Sequence, residues 1–191
     1  MNYRQWHIPL EQSGLILEQG LESLKALGAP QEDIPLIVKL LENPHYSLPG
    51  LTLFHGAVDL HQHDVIHLLL GRGLLPKDEA FTIGFTMGTT HAVTALEESL
   101  FCTLNQLFYP SVYRFGDEEV RVFRDALALG HMSACKPLNE VDFTQFYTHS
   151  LGDIRAALGL ESDLLRAYYR IEKQRYPHAR ESQRLGPVNT E

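Results

Sequence analysis

Apolar residues recur every three or four positions along most of the chain, and this interval matches the buried face of an α-helix. The leucines near the N-terminus show it first, at Leu15, Leu17, Leu21, Leu24 and Leu27. Ser13 stands before this run as a candidate N-cap, and Gly28 follows it as a stop signal. Strand signals are nearly absent, because no turn dipeptide separates two alternating runs. The sequence therefore predicts an all-α fold, built as a single-domain helical bundle.

Start and stop residues divide the rest of the chain into further predicted helices. Ser150, for example, has capping-box spacing to Asp153. A turn is predicted over 43–50, which contains two prolines. We expect residues 1–176 to form the helical domain and 177–191 to form a polar, flexible tail. The predicted helices span 15–27, 30–41, 52–70, 76–108, 117–130, 142–148, 150–159 and 162–176.

Composition and charge exclude several classes of function. The 191 residues are 44% hydrophobic, which is enough apolar mass for one sizeable core. A net charge of −8 opposes binding to nucleic acid and charge-driven binding to an anionic membrane. Cys102 and Cys135 have no CxxC spacing, so we expect no disulfide and a reducing, cytoplasmic setting. The sequence shows neither a signal-peptide pattern nor a transmembrane run, so we expect a soluble or at most peripheral protein.

The segment with the clearest chemistry spans 61–71 and contains two histidines four residues apart, His63 and His67. On a helix this spacing places both imidazoles on one face, with Cβ atoms about 6 Å apart, so that they can bind one metal ion. Asp64 adjoins the first histidine and offers an oxygen donor. Glu79 follows the second histidine by twelve residues.

The length of the intervening loop predicts where Glu79 lies. If one helix ends near Gly71 and the next begins near Pro76, then His67 and Glu79 each lie about one turn from the loop. An antiparallel helix pair brings these two residues to the same height. Such a pair predicts a metal site made by His63, Asp64, His67 and Glu79. Nitrogen and oxygen donors together suit zinc best, with iron, manganese or cobalt as alternatives.

The same residues admit other roles. Two histidines four apart on a helix are often surface residues or a hydrogen-bonded pair without a metal. Asp64 can serve as a proton acceptor rather than a ligand, and we take His63, Asp64 and Glu79 as the candidate catalytic residues. Asp59 lies four residues before His63 and can orient it. The remaining histidines of this region are expected to be structural, namely His55, His61 and His91.

Small residues recur every four positions on the helix predicted to begin at Pro76, at Ala80, Gly84, Gly88 and Ala92. Glycine inside a helix costs about 1 kcal/mol relative to alanine, so two of them suggest a role. One role is close packing against another helix. The other is the smooth wall of a lipid groove that starts beside Glu79. Near the C-terminus, the aromatic and basic residues of 166–173 are expected to form a solvated face.

The motif His63-Asp64-x-x-His67, followed after eleven residues by Glu79, resembles the metal motif of the Coq-four family of coenzyme Q (ubiquinone) biosynthesis proteins. Other segments also resemble that family, at 48–50, 128–130, 136–143 and 151–159. The resemblance covers about residues 48–160.

The resemblance implies an all-helical fold and a divalent metal, usually taken as zinc, on the four motif residues. It also implies a polyisoprenoid lipid or quinone precursor in an apolar groove, which fits the stripe of Ala80, Gly84, Gly88 and Ala92. Members of the family are peripheral membrane proteins that associate with other ubiquinone-biosynthesis enzymes. They are linked to oxidative removal of the C1 carboxylate of a prenylated ring, with hydroxylation there. We therefore expect a role in ubiquinone biosynthesis, in the cytoplasm or on the inner face of a membrane.

Alternative functions stay open at this point. One is a non-catalytic, lipid-binding scaffold that organises the ubiquinone-biosynthesis enzymes. Another is an HD-type phosphohydrolase, because His63 and Asp64 form a His-Asp pair, but its further ligands would have to be His45 and Asp125. An apolar groove in a small chain also makes a homodimer an expectation.

Overall fold

The computed structural model describes residues 3–27, 54–108 and 114–186. In these ranges the chain is mostly helical and contains no sheet, which confirms the predicted all-α fold. None of the described helices is long and apolar enough to cross a membrane. In chain order they are α1 (Leu17–Lys25), α2 (Leu60–Leu70), α3 (Pro76–Gly88), α4 (Ala95–Phe108), α5 (Asp117–Met132), α6 (Leu151–Leu158), α7 (Ser162–Arg175) and α8 (Arg180–Gln183). Outside the described residues lie the predicted helix over 30–41, the turn over 43–50, the segment at 48–50 and His45.

The helix predicted over 52–70 begins later than the apolar spacing indicates. Asp59 is its N-cap: the Asp59 side chain accepts a hydrogen bond from the backbone N–H of Gln62 at 2.7 Å. The Gln62 side chain accepts one in return from the backbone N–H of Asp59 at 3.1 Å. Upstream, Gly56 adopts a φ of +86°, which a helix does not allow. These local bonds start α2 at Leu60.

The long helix predicted over 76–108 is wrong, because α3 ends at Gly88 and α4 begins at Ala95. The hydroxyl groups of Thr89 and Thr90 donate to carbonyl oxygens three residues earlier, each at 2.7 Å. His91 then adopts a left-handed φ of 55°. Side-chain bonds of this kind compete with the helical backbone ladder, and a run of threonines therefore interrupts an otherwise helical pattern.

The shorter predicted helices differ from the structure mainly at their ends. α5 continues two residues past Gly130 to Met132, because Gly130 lies in a tight helix contact and does not end the helix. The helix predicted over 142–148 is a 3-10 turn at Phe143–Phe146. α6 has the expected cap, since the Ser150 side chain accepts from the backbone N–H of Asp153 at 3.1 Å.

The stripe of small residues on α3 packs against α5. A Cβ atom at Gly84 would collide with the carbonyl oxygen of Phe123, and one at Gly88 would collide with that of Leu127. The stripe is therefore a helix–helix contact, and the predicted lipid groove along Ala80, Gly84, Gly88 and Ala92 is wrong. Backbone-to-backbone approach fills the space that a lipid would need. Ala80 is fully buried, and Ala92 is exposed in the interruption after α3.

α2 lies in the centre of the core and is buried on nearly all sides. Its residues from Leu68 to Leu70 are inaccessible to solvent, so the carbonyl groups at its C-terminus cannot bind water. Distant side chains supply the donors instead. Arg155 donates to the carbonyl oxygens of Leu68 and Leu69 at 3.2 and 2.8 Å. The Tyr169 hydroxyl donates to the carbonyl oxygen of Leu70 at 2.5 Å.

The carbonyl group of Gly71, directly after α2, also has a distant donor. This donor is His7, near the N-terminus. His7 donates through Nε2 to the carbonyl oxygen of Gly71 at 3.0 Å. Burial, aided by the positive charge of Arg184, lowers the pKa of His7 to about 4. The His7 ring is therefore neutral near pH 7, and its single N–H is used in this bond.

Arg72 is completely buried directly after α2. Its guanidinium donates to both carboxylate oxygens of Glu172 on α7, at 3.0 and 2.6 Å. It also lies between the rings of Phe81 and Tyr169, with Cζ 3.9 and 4.3 Å from the ring centroids. Burial alone would lower the pKa of Arg72, but the Glu172 carboxylate outweighs that effect and raises it. Tyr168 and Tyr169 are both buried, so the expected solvated face on α7 excludes these two residues.

The C-terminal segment is packed as far as Gly186, contrary to the predicted flexible tail over 177–191. Ser182 on α8 donates to the Glu172 carboxylate at 2.9 Å. Arg184 forms an ion pair with the buried carboxylate of Asp78 at the start of α3. Leu185 is also buried. No local sequence pattern indicates these contacts, because their partners lie far away along the chain; residues 187–191 are outside the described part.

We expect Gly84→Ala to destabilise the protein by about 1–3 kcal/mol, because the new methyl group overpacks the contact between α3 and α5. Thermal and urea unfolding would measure the change. Gly14→Ala is the matched control, since a Cβ at Gly14 has nothing within 4 Å. Equal stability of the two variants would contradict the close-packed contact.

Glu172→Ala should cost about 3–5 kcal/mol, because it leaves the Arg72 guanidinium buried without its partner. A double variant with leucine at both positions should lose less than Glu172→Ala alone. The control is Asp163→Ala on the same helix, whose exposed ion pair with Arg166 contributes little. Urea unfolding of the four proteins tests the order, and a double variant less stable than Glu172→Ala would overturn it.

Candidate metal centre

α2 and α3 carry three candidate metal donors, and the turn over 71–75 brings them together. Gly71 ends α2 with a left-handed φ of +66°, and a Cβ there would meet the backbone nitrogen of Leu10 at 2.6 Å. His67 is completely buried, and His63 is 8% exposed one helical turn earlier. Glu79 lies in the first turn of α3, with 23% of its side chain exposed.

The donor atoms of these three residues converge on one point. Nε2 of His63 and Nε2 of His67 are 2.9 Å apart. Glu79 places one carboxylate oxygen 3.0 Å from Nε2 of His63 and the other 3.4 Å from Nε2 of His67. Among the described residues this is the group of histidine, cysteine and carboxylate side chains whose ligand atoms all lie within 4.8 Å of one another.

Hydrogen bonds alone do not satisfy this arrangement. Nε2 of His63 faces both Nε2 of His67 and a Glu79 oxygen, but it carries at most one hydrogen. That hydrogen can point at only one of the two partners. If both histidine Nε2 atoms carry a hydrogen toward the carboxylate, the two N–H groups also face each other. A cation between the two nitrogens and the carboxylate would be attracted to all three groups at once.

The separations also fit a tetrahedral ion. Zinc lies about 2.0–2.1 Å from nitrogen and carboxylate ligands, so two ligand atoms of one tetrahedron are about 3.3 Å apart. The separations between the donor groups are 2.9, 3.0 and 3.4 Å, the last two to different oxygens of Glu79, and they are close to that value. Three protein donors are also the number that catalytic zinc sites use, with the fourth position left for water or substrate.

Thr82 supports the second histidine from behind. Its hydroxyl oxygen lies 3.3 Å from Nδ1 of His67, the ring nitrogen that faces away from the centre. Thr82 is completely buried, three residues after Glu79 on α3. A hydroxyl there orients the imidazole, as outer partners of metal-bound histidines do. Sequence reasoning missed Thr82, although its spacing from Glu79 placed it on the same helix face.

The electrostatics favour a charged carboxylate at the centre. Burial alone would raise the pKa of Glu79, but His67 and His63 outweigh it and hold that pKa well below its usual range. Asp64 differs: burial raises its pKa by more than His63 and His67 lower it. Glu79 thus remains an anionic donor, whereas burial makes Asp64 harder to ionise than a carboxyl group in water.

The structure brings together three of the four predicted metal residues. Asp64 contributes no ligand atom to the group, because it directly follows His63 on α2 and adjacent helix residues point in different directions. Asp59 caps α2 through its side chain. Asp125, the ligand needed for a phosphohydrolase, instead pairs with Arg175 at 2.5 Å, outside the group.

The other histidines have partners of their own. Nε2 of His61 lies 2.9 Å from the Tyr147 hydroxyl. His91 packs against His131, with ring centroids 5.1 Å apart. His55 pairs with Glu97 on α4, and none of the three contributes to the candidate metal centre.

Comparison with known proteins yields no relative of this chain: no family model, no curated protein and no solved structure matches it. The chemistry of the candidate centre is therefore inferred from its geometry.

We expect the purified protein to take up one zinc ion per chain, as measured by elemental analysis after incubation with Zn²⁺ and desalting. Glu79→Gln should weaken zinc binding by at least about tenfold, because it keeps the shape of the side chain and removes its charge. Glu98→Gln is the matched control, since Glu98 pairs with Arg124 at the surface of α4. Equal zinc affinity of the two variants, or no uptake by the wild type, would contradict the assignment.

Proposed function

We propose that the protein holds a divalent metal ion on His63, His67 and Glu79 and uses it to bind the polar end of an apolar small molecule. The observation that carries the proposal is the convergence of two imidazole nitrogens and the Glu79 carboxylate, with 2.9–3.4 Å between neighbouring donor atoms. Zinc is the first choice for this donor set, with iron, manganese and cobalt as alternatives.

An apolar cavity beside the centre supports the second half of the proposal. It is partly open to solvent and lined mostly by apolar side chains. His63 belongs both to the cavity wall and to the donor group, so a molecule in the cavity lies next to the centre. Apolar walls with few polar groups are typical of small-molecule sites. The other lining residues are Phe54, His55, Gly56, Ala57, Val58, Ile83, Thr86, Met87 and Phe101.

A bound ion would supply Lewis-acid polarisation of a carboxylate or phenolic oxygen. The residues of the chain do the rest. Glu79 and the two imidazoles hold the ion, and Thr82 orients the His67 ring. The buried residues of α2 exclude water from the inner side of the centre, which strengthens electrostatic interactions there.

The pathway part of the proposal is ubiquinone biosynthesis. The spacing of His63, Asp64, His67 and Glu79 resembles the motif of the Coq-four family, and the cavity beside these residues has the apolar walls that an apolar ring or chain needs. We propose a prenylated ring precursor as the ligand and loss of its C1 carboxylate with hydroxylation as the reaction. Zinc has no redox chemistry, so at zinc the oxidant would be dioxygen activated by the substrate. The balanced change is then carboxylic acid + O₂ + H₂O → phenol + CO₂ + H₂O₂. The partners we propose are other ubiquinone-biosynthesis enzymes at a membrane surface.

The test is replacement of the gene, in the cells that carry it, by Glu79→Gln or by the control Glu98→Gln. We expect Glu79→Gln cells to lose most of their ubiquinone and to accumulate a precursor that retains the C1 carboxylate, measured by mass spectrometry of lipid extracts. The control should resemble the wild type.

Two other outcomes would change the proposal. Normal ubiquinone in cells without the gene would remove the pathway assignment. Normal ubiquinone in Glu79→Gln cells, together with loss in cells without the gene, would exclude catalysis at the centre and support a lipid-binding scaffold.

A further inference from the structure

The cavity beside the candidate centre contains a second histidine, His55, that the proposed function does not use. Glu97 holds it through both carboxylate oxygens. One oxygen accepts the backbone N–H of His55 at 2.5 Å, and the other lies 2.9 Å from Nδ1 of its ring. The Glu97 side chain is 10% exposed, whereas that of His55 is 43% exposed. The carboxylate is thus enclosed, whereas the imidazole is partly exposed to solvent and lines the cavity.

The local sequence would ordinarily give Glu97 a different partner. Thr94 accepts the backbone N–H of Glu97 at 3.2 Å, which is one half of a capping box at the start of α4. In the complete motif the glutamate side chain returns to the backbone N–H of the threonine. Here both oxygens bind His55 instead. α4 therefore lacks the second hydrogen bond of the capping box, and the Glu97 carboxylate orients the His55 imidazole in the cavity wall instead.

The contact with Glu97 determines which ring nitrogen of a neutral His55 can accept a hydrogen bond. A carboxylate only accepts, so Nδ1 of His55 must carry the hydrogen that it donates to Glu97. Nε2 is left as an acceptor. Within the described part of the chain, Nε2 of His55 makes no hydrogen bond, while the ring lines the cavity.

We propose that His55, held by Glu97, accepts a hydrogen bond from a hydroxyl group of the apolar molecule that occupies this cavity. Glu97 is a positioning residue that sets the tautomer. The ligand class is an apolar alcohol or phenol, with its hydroxyl at His55. The inference rests on the proposed function in one respect: His63 at the same cavity belongs to the candidate metal centre, so one ligand would contact both.

Replacement of Glu97 by glutamine exchanges donor and acceptor in the hydrogen bond to Nδ1 of His55. The amide oxygen can still accept the backbone N–H of His55, which turns the amide N–H₂ toward Nδ1. Nδ1 must then accept, and the ring hydrogen moves to Nε2. Glu97→Gln therefore converts the cavity-facing nitrogen from an acceptor into a donor with little change in shape. If Glu97 only held the loop before α2 in place, exchanging the donor and acceptor at His55 would not affect ligand binding.

The experiment uses the protein as purified, at about pH 8.5, where neutral imidazole dominates. Long-range ¹H–¹⁵N NMR spectra of histidine-labelled protein report the tautomer, and His55→Phe assigns the resonance among the ten histidines. The probes are cyclohexylmethanol and cyclohexyl methyl ether, which are isomers; the first donates a hydrogen bond and the second only accepts. Glu98→Gln is the matched control for the glutamine variant.

We expect hydrogen on Nδ1 of His55 in the wild type and in Glu98→Gln, and on Nε2 in Glu97→Gln. The alcohol should bind the first two proteins about threefold to tenfold more tightly than the ether. This preference should vanish in Glu97→Gln, because both probes can accept from Nε2–H. The alcohol should also shift the Nε2 resonance of His55 in the wild type, a measurement that needs no variant.

Hydrogen on Nε2 in the wild type, or equal binding of the two probes to it, would overturn the inference. The same alcohol preference in Glu97→Gln as in the wild type would also overturn it. None of these readouts requires a metal ion. Zinc uptake measured on the same samples therefore separates a failure of this inference from a failure of the metal centre.

Discussion

The buried C-terminus of α2 is the constraint on which the rest of the structure depends. A helix end in the core exposes carbonyl groups that water cannot reach, and each unpaired group is costly. Arg155 and Tyr169 satisfy three of these groups, and His7 satisfies the next carbonyl along the chain. The N-terminal segment and helices α6 and α7 are thereby attached to the same few residues. These residues lie immediately after the two histidines of the candidate centre.

Two further features determine where Glu79 lies: the buried Arg72, and the close contact of Gly84 and Gly88 on α3 with the backbone of α5. The ion pair between Arg72 and Glu172 holds the turn after α2 against α7. The close contact of α3 with α5 holds the other side of that turn, and Lys77 adds an ion pair to Glu119 at 2.7 Å. Glu79 follows two residues later on a helix that is held on both sides. A donor placed this way loses little freedom when it binds an ion or a ligand.

Much of the candidate centre was predictable because its information is local. The spacing of His63 and His67 and the loop length before Glu79 depend only on helix geometry. The parts that were not predictable depend on distant partners. In the sequence Arg72 is part of a glycine-rich break, yet its partner Glu172 is 100 residues away.

The stripe of small residues shows a different limit. The same pattern on one helix permits either a lipid wall or a second helix, and only the position of α5 decides between them. The interruption after Gly88 had a local cause in the hydroxyl groups of Thr89 and Thr90, but apolar spacing does not report such bonds. The family resemblance rests on the motif and on four further segments of the sequence, and it stays a prediction.

The donors for the end of α2 lie on both sides of it in the sequence, so the ribosome makes some of them before α2 and others long after it. A ribosome completes the segment from His63 to Glu79 well before it adds Arg155 and Tyr169. Until those residues emerge, the carbonyl groups of Leu68, Leu69 and Leu70 lack the donors that pair with them in the folded protein. A nascent chain therefore holds all three donor side chains without the scaffold that aligns them. Any ion that needs their native geometry has to bind after Tyr169 has left the ribosome.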